Sequence, residues 1–213
     1  MRLHTYWRSS AAYRVRIALN LKGLEYQPVF VPLVGEAAQR SPEYRTLNPQ
    51  GLVPTLVDDQ LTITQSLAII EYLEERYPDP SLLPQRLSDR AMARQIAHIV
   101  ASDIHPLNNL RVLQYLKGVF KVDDAQKDRW YRHWIVEGFD AIELWLASMR
   151  HAGPYALGAA VTIADVCLVP QVYNARRFHV PMDDFPRIRM VEEACLEVEA
   201  FRCASPDVQP DAP

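Results

Sequence analysis

The chain has 213 residues, of which 49% are apolar and 23% charged, with a net charge of −3 and a pI near 6.1. That is enough chain for two modest domains, and the slight acidity supplies no basic face for phosphates, so neither nucleic acid nor an anionic membrane surface is an expected partner. No apolar run reaches the ~18 residues of a membrane span, and Met1-Arg2-Leu3-His4 enters a strand-like pattern without a signal-peptide core, so a cytoplasmic protein acting on a small molecule is expected.

The first eighty residues alternate short β-like runs with helical ones. Leu3 to Tyr6 reads as a strand, about Ser10 to Lys22 as a helix stopped by Gly23, and Tyr26 to Val31 as a second strand. A loop through Pro42 to Pro49 follows. Thr55 to Val57 and Leu61 to Thr64 then flank an Asp58-Asp59 turn, and a helix from Ser66 to Tyr77 is closed by Pro78. The order is βαβ then ββα, which a small mixed sheet satisfies: parallel neighbours need a crossover helix, whereas the Asp58-Asp59 turn makes an antiparallel hairpin.

Pro78 to Pro84 reads as a stiff linker. From about Leu87 the pattern becomes long helical periodicity without a convincing strand, in Ala91 to Leu116, Asp124 to Arg150 and Thr162 to Phe178. Pro106 and Pro170 lie inside two of these patterns, where each removes a backbone hydrogen bond and is expected to bend or break the helix. The fold expected is an α/β N-terminal domain over residues 1–82 and an all-α domain over 87–213. Thr162 and Asp165 form a capping-box variant with a folding role. The four tryptophans, Trp7, Trp130, Trp134 and Trp145, are expected in the core.

The three cysteines, Cys167, Cys195 and Cys203, are odd in number, lack C-x-x-C spacing and lie in the C-terminal half, so they read as reduced structural thiols. The strand-to-helix turn carries none, which argues against dithiol exchange. Neither an H-E-x-x-H motif nor a cysteine cluster is present, and no metal is expected although His98 and His105 share a helical face.

Three segments carry a resemblance. Arg8-Ser9-Ser10-Ala11-Ala12-Tyr13-Arg14-Val15-Arg16-Ile17-Ala18-Leu19 is similar to the zeta-class signature of the glutathione transferases. There a serine pair precedes a cysteine and then an aromatic-R-V-R-I-A-L helix; Ala11 here stands in the cysteine's place. Asn48-Pro49-Gln50-Gly51-Leu52-Val53-Pro54-Thr55-Leu56 with Gln65 to Leu73 resembles the superfamily's glutathione-recognition half, and Thr162-Ile163-Ala164-Asp165 its C-terminal capping motif. With Asp103 to Asn109 and Val169 to Val172, the match runs in order over nearly the whole chain.

The resemblance implies the glutathione transferase fold, with a thioredoxin-like first domain, a homodimer and glutathione as cofactor. It implies that Ser9, helped by Ser10, partners the glutathione thiolate, and that Gln65 and Ser66 meet the γ-glutamyl carboxylate at a helix start. Val53 before Pro54, a cis proline in the family, would pair its backbone with the cysteinyl moiety, and Gln39 would approach the glycyl end. His105 and Asn109 match further glutathione-side positions. A free thiol is only about 3% ionised at pH 7, so the nucleophile must be activated; a hydroxyl hydrogen bond to a charged group, roughly 1.5–3 kcal/mol, with a helix N-terminus, roughly 0.3–1, supplies most of what is needed.

The implied activity is glutathione-dependent cis–trans isomerisation of maleylpyruvate or maleylacetoacetate in aromatic-acid catabolism. Such a reaction needs a grip on two carboxylates, for which arginine's planar fork is suited. Arg8 is the candidate by position, and Arg111 and Arg177 match substrate-region arginines, with Arg177 favoured over Arg176. A conjugating transferase or dehalogenase of the same fold, and a non-catalytic glutathione-binding protein, are the alternatives.

Overall fold

The computed structural model describes residues 1–148 and 152–213. Their contacts gather into two compact units, Met1–Leu82 with Leu196–Pro213, and Leu83–Cys195. The end of the reading Asp124 to Arg150 therefore lies outside the described residues.

The first unit holds strands β1 (Arg2–Thr5), β2 (Gln27–Phe30), β3 (Thr55–Asp58) and β4 (Leu61–Thr64) in the order β2-β1-β3-β4. β1 pairs parallel with β2 and antiparallel with β3, and β3 antiparallel with β4, with Leu3 opposite Leu56. This is the expected mixed sheet. Helix α1 (Ser10–Leu21) supplies the crossover, and Ser10 through Leu19 are all buried, two arginines among them. It ends as expected at Gly23, φ +63°, where Gly23 N bonds Asn20 O and Leu24 N bonds Leu19 O, a pairing that satisfies two of the helix's last carbonyls.

Where the sequence read a plain loop, Pro42–Leu47 forms a helix, α2. Ser41 Oγ accepts from Tyr44 N, and Pro42 stands at the first turn, a strong local start that hydrophobic periodicity is too short to register. Helix α3 (Ser66–Arg76) packs on α1. The linker is held by one buried cluster: Lys22 Nζ donates to Glu74 Oε2 (2.8 Å), Tyr77 O (2.6 Å) and Pro80 O (3.0 Å), while Glu74 accepts from Leu82 N (2.9 Å) and Ser81 Oγ.

The second unit contains α4 (Leu87–His98), a π-helical stretch Ile99–Ile104, α5 (His105–Leu107), α6 (Leu110–Gly118), α7 (Asp124–Ser148), α8 (Ile163–Arg177) and α9 (Pro186–Leu196), whose last residue falls at the unit boundary. Tyr155–Gly158 is an isolated bridge, and no strand lies here among the described residues. The continuous pattern Ala91 to Leu116 is interrupted around Pro106: the ladder widens to π geometry before it, and the helix stops at Asn108 before Asn109 caps α6. At Pro170 the expected break does not occur. α8 continues through it because most of its residues are buried, and packing outweighs the ~3 kcal/mol a mid-helix proline costs. The α8 start is the capping box expected, with Asp165 accepting from Thr162 N (2.7 Å), Thr162 Oγ1 (2.9 Å) and Ala156 N (2.8 Å).

Helix α10 (Glu199–Ala204) and the tail follow the boundary at Leu196. The sequence placed residues 87–213 in one helical domain, whereas Leu196–Pro213 gathers with the first unit. The reason is specific bonding: Tyr13 Oη donates to Phe201 O, Asn20 Nδ2 to Ala200 O and Arg16 Nε to Ala204 O, with Phe201 and Ala204 fully buried. None of the four tryptophans is a core residue; Trp7, Trp130 and Trp134 are half-buried and Trp145 is exposed, as befits a side chain too large and too amphipathic for full burial. No described helix is long and apolar enough to cross a membrane.

Candidate active site

The turn from β1 to α1 places Ser9. Its backbone, φ −72° and ψ 114°, is that of a helix N-cap: Ser9 Oγ accepts from Ala12 N (3.2 Å), Ser9 O from Tyr13 N (2.8 Å), and Ser9 N donates to Tyr6 O (3.0 Å). A cap uses the hydroxyl oxygen as acceptor and leaves its proton to be donated elsewhere. A helix N-terminus, with its partial positive charge, thus polarises a half-buried O–H. Ser10, the first helical residue, is buried, and Arg8 is half-buried with its guanidinium 5.1 Å from the Trp7 ring centroid.

Two arginines of α1 escaped the sequence reading. Arg14 and Arg16 are each 1% exposed, in a helix otherwise apolar. Arg16 folds back under the turn, with Nη1 donating to Thr5 Oγ1 (3.1 Å) and Tyr6 O (3.5 Å) and Nη2 to Trp7 O (3.0 Å). Burial pulls its pKa down to about 10, partly offset by Tyr26, Tyr13 and Asp211, so it stays charged at neutral pH. Arg14 reaches the other way, donating through Nη1 to Ser66 Oγ (3.2 Å). The signal was present in the sequence as two charges two apart in a run of core residues, a pattern that demands partners.

Ser66 opens α3, and no side chain caps that helix. Gln65 before it holds φ +70°, a left-handed conformation uncommon for a non-glycine residue, and its Nε2 donates to Gln50 Oε1 (2.7 Å). Gln50 belongs to the loop Asn48 to Pro54, which an internal network fixes. Asn48 Nδ2 donates to Leu52 O (2.7 Å) and Thr55 Oγ1 (3.1 Å), and Tyr44 Oη to Leu52 O (2.7 Å). Val53, buried, and Pro54 are joined by the expected cis peptide. Gln39 is buried beside this loop; its Nε2 donates to Leu33 O (3.3 Å), and its Oε1 is buried without a hydrogen-bond partner in the protein.

Gly51 is required there. Its φ is +62°, and a Cβ would stand 2.8 Å from Gln39 O. Gly51→Ala is therefore expected to displace the Gln39 segment and to cost about 1 kcal/mol of stability, which thermal melts will read.

In the second unit His105 begins α5, and Asn109 caps α6 through Oδ1, which accepts from Arg111 N (3.1 Å). Arg111 is exposed on the first turn of α6. Arg176 and Arg177 end α8: Arg176 is committed to Glu192 through a forked pair, whereas Arg177 is exposed with its guanidinium 4.7 Å from the Phe178 ring centroid. Phe178 in turn stacks on Tyr131 (3.5 Å between centroids). Cys167 and Cys195 are buried, and burial drives the Cys195 thiol pKa upward, away from thiolate.

The first unit thus carries a polarised serine at one helix start, an uncapped start at another and an orphaned carboxamide oxygen, donors and acceptors suited to a polar ligand with an acidic group. Residues 8–76 match the family model "Glutathione S-transferase, N-terminal domain". The chain is 50% identical over 212 residues to a probable maleylacetoacetate isomerase of Vibrio cholerae, covering 99% of this chain and 97% of that one. Among solved structures it matches a holo maleylpyruvate isomerase, a bacterial zeta-class glutathione S-transferase, with a TM-score of 0.98 and 47% identity over 100% of both chains. It also matches the maleylacetoacetate isomerase of Methylobacterium extorquens AM1 with bound malonate and glutathione, with a TM-score of 0.96 and 37% identity over 100% of both.

The chain belongs to the glutathione S-transferase family. Within it, the chain groups with the zeta-class maleylacetoacetate and maleylpyruvate isomerases.

Proposed function

We propose that this protein is a glutathione-dependent cis–trans isomerase of maleylpyruvate or maleylacetoacetate, cytoplasmic and homodimeric, acting in aromatic-acid catabolism. The observation that supports this most is the Ser9 hydroxyl held as the cap of α1, in a chain alike over its full length to isomerases. Residues 1–82 with the tail 196–213 are assigned to the glutathione side and 87–195 to the substrate side.

Glutathione, when bound, supplies a thiolate whose reversible addition turns the substrate's C=C into a rotatable single bond. The chain's own residues do the rest. Ser9 donates its hydroxyl proton as a hydrogen bond to the sulfur, and Ser10 adds to the polarity of the same helix start. Ser66, Gln65 and the first N–H groups of α3 hold the γ-glutamyl carboxylate, with the Arg14 guanidinium behind Ser66. Val53 and Pro54 present backbone to the cysteinyl moiety, and Gln39 Oε1 gains a peptide N–H. His105 and Asn109 are assigned to glutathione by the family resemblance. Arg8, Arg111 and Arg177 are assigned to the substrate carboxylates. Ala11 leaves no cysteine at the turn, so the one thiol at the reaction centre is the cofactor's.

The test is ultraviolet absorbance of each maleyl substrate with and without glutathione, beside chlorodinitrobenzene conjugation. Rapid isomerisation that vanishes without glutathione is expected. Arg177→Ala and Arg111→Ala should raise the isomerisation KM roughly tenfold or more, as for the loss of a charge-assisted bond, and leave conjugation within about twofold. Conjugation without isomerisation would replace the reading by that of a conjugating transferase, in which those arginines have no carboxylate to hold.

A further inference from the structure

The C-terminal tail folds back onto the turn that carries Ser9. After α10, Pro206 is buried and Gln209 Nε2 donates to Cys203 O (3.0 Å) and Ser205 O (2.9 Å), closing the chain into a turn that brings Asp211 to Trp7. There Asp211 Oδ2 accepts from Trp7 N (2.9 Å). The other oxygen, Oδ1, is buried and accepts no hydrogen bond within the protein, and the charge of Arg16 lies near enough to interact with this carboxylate.

The same turn is gripped from below by Arg16, which bonds Tyr6 O and Trp7 O on one side and Ala204 O, at the root of the tail, on the other. Trp7 therefore has both its backbone groups fixed, N–H by Asp211 and C=O by Arg16. Ser9 N is bonded to Tyr6 O, so the position of its hydroxyl follows from that of residues 6 and 7.

We propose that Asp211 is a positioning residue for the reaction: with Arg16, it fixes the Tyr6–Ser9 turn so that the Ser9 hydroxyl points at the glutathione sulfur. This rests on the role proposed for Ser9. Removing the clasp should leave the γ-glutamyl carboxylate its partners at α3 and loosen only the thiol's hydrogen bond. The effect then falls on thiol ionisation and kcat rather than on glutathione affinity.

The test uses the full chain as wild type, Asp211→Ala, Asp211→Asn and Ser9→Ala. Five quantities are read: exchange of the Trp7 amide hydrogen without glutathione, glutathione Kd, kcat, thermal midpoint, and the pKa of the bound glutathione thiol from its ultraviolet thiolate band. For Asp211→Ala the expected result is at least tenfold faster Trp7 exchange, a thiol pKa raised by about half a unit or more, kcat down by about threefold or more and Kd within about twofold. Asp211→Asn, which keeps an acceptor for Trp7 N, should restore most of the exchange protection, the thiol pKa and kcat. A thiol pKa unchanged in Asp211→Ala while raised in Ser9→Ala overturns the proposal alone. An unchanged thiol pKa in Ser9→Ala removes the reading of Ser9 and the proposal with it. Equal shifts in the Asn and Ala variants would assign the effect to charge rather than to the Trp7 bond, and would also overturn it.

Discussion

Replacing Ser9 with alanine is expected to raise the pKa of bound glutathione by roughly 1–2 units and to lower kcat/KM by roughly 10–150-fold. A hydroxyl bond to a charged acceptor contributes about 1.5–3 kcal/mol, against about 1.36 per pKa unit. The alanine also removes the acceptor of Ala12 N and so costs α1 about 1 kcal/mol of stability. The two effects separate in Ser9→Gly. Glycine at an N-cap lies within a few tenths of a kcal/mol of serine, so the fold recovers while the hydroxyl stays missing. Activity that returns with glycine would mean that Ser9 serves only as a cap. Activity that stays low while the melting temperature recovers places the hydroxyl at the sulfur. The readouts are ultraviolet titration of the thiolate, steady-state isomerisation and thermal melts.

The largest loss of stability is expected from Glu74→Ala. The Lys22 side chain is fully buried and that of Glu74 is 10% exposed, and together they tie α1 and α3 to the linker. Alanine leaves the ammonium buried with two carbonyls and no counter-charge, at a cost of about 3–5 kcal/mol, which for a chain of this size lowers the melting temperature by roughly 6–20 °C. A mild effect, below about 1 kcal/mol, would show that the pair is solvated.

The pair also sets a pH dependence. Burial would raise the Glu74 pKa, but bonds from Leu82 N, Lys22 and Ser81 outweigh it and hold the carboxyl below its usual 4.5. A carboxyl lowered on folding contributes stability that is fully present above about 4.5 and is lost as pH falls through the folded value. Wild type should therefore lose stability from pH 4.5 downward more steeply than Glu74→Gln, which cannot titrate; parallel curves in denaturant melts would sink the assignment.

The sequence alone settled much of this protein, because many of its signals are local. Alternation in Leu3 to Tyr6 and Leu61 to Thr64, the Gly23 stop, Pro78 after α3 and the Thr162/Asp165 box each act within a few residues. The expected mixed sheet follows from them, since a crossover helix and a tight turn leave few ways to order four strands. Ser9 and Ser66 were legible for the same reason: a helix start next to a strand end is written in adjacent residues.

Only the tertiary structure decided where buried charge goes and what carries the tail. Periodicity shows Arg14 and Arg16 on a core helix but not that one supports Ser66 and the other the Ser9 turn, because their partners lie as far off as residues 66 and 204. Nor does it show that α8 runs through Pro170, since a proline's local cost is outweighed only by packing that the sequence does not display. The return of residues 196–213 to the first unit rests on carbonyls of Ala200, Phe201 and Ala204 and the carboxylate of Asp211. Backbone carbonyls are the same in every residue, so pairing of this kind leaves no mark in the sequence, and three-dimensional contact alone selects which of them are used.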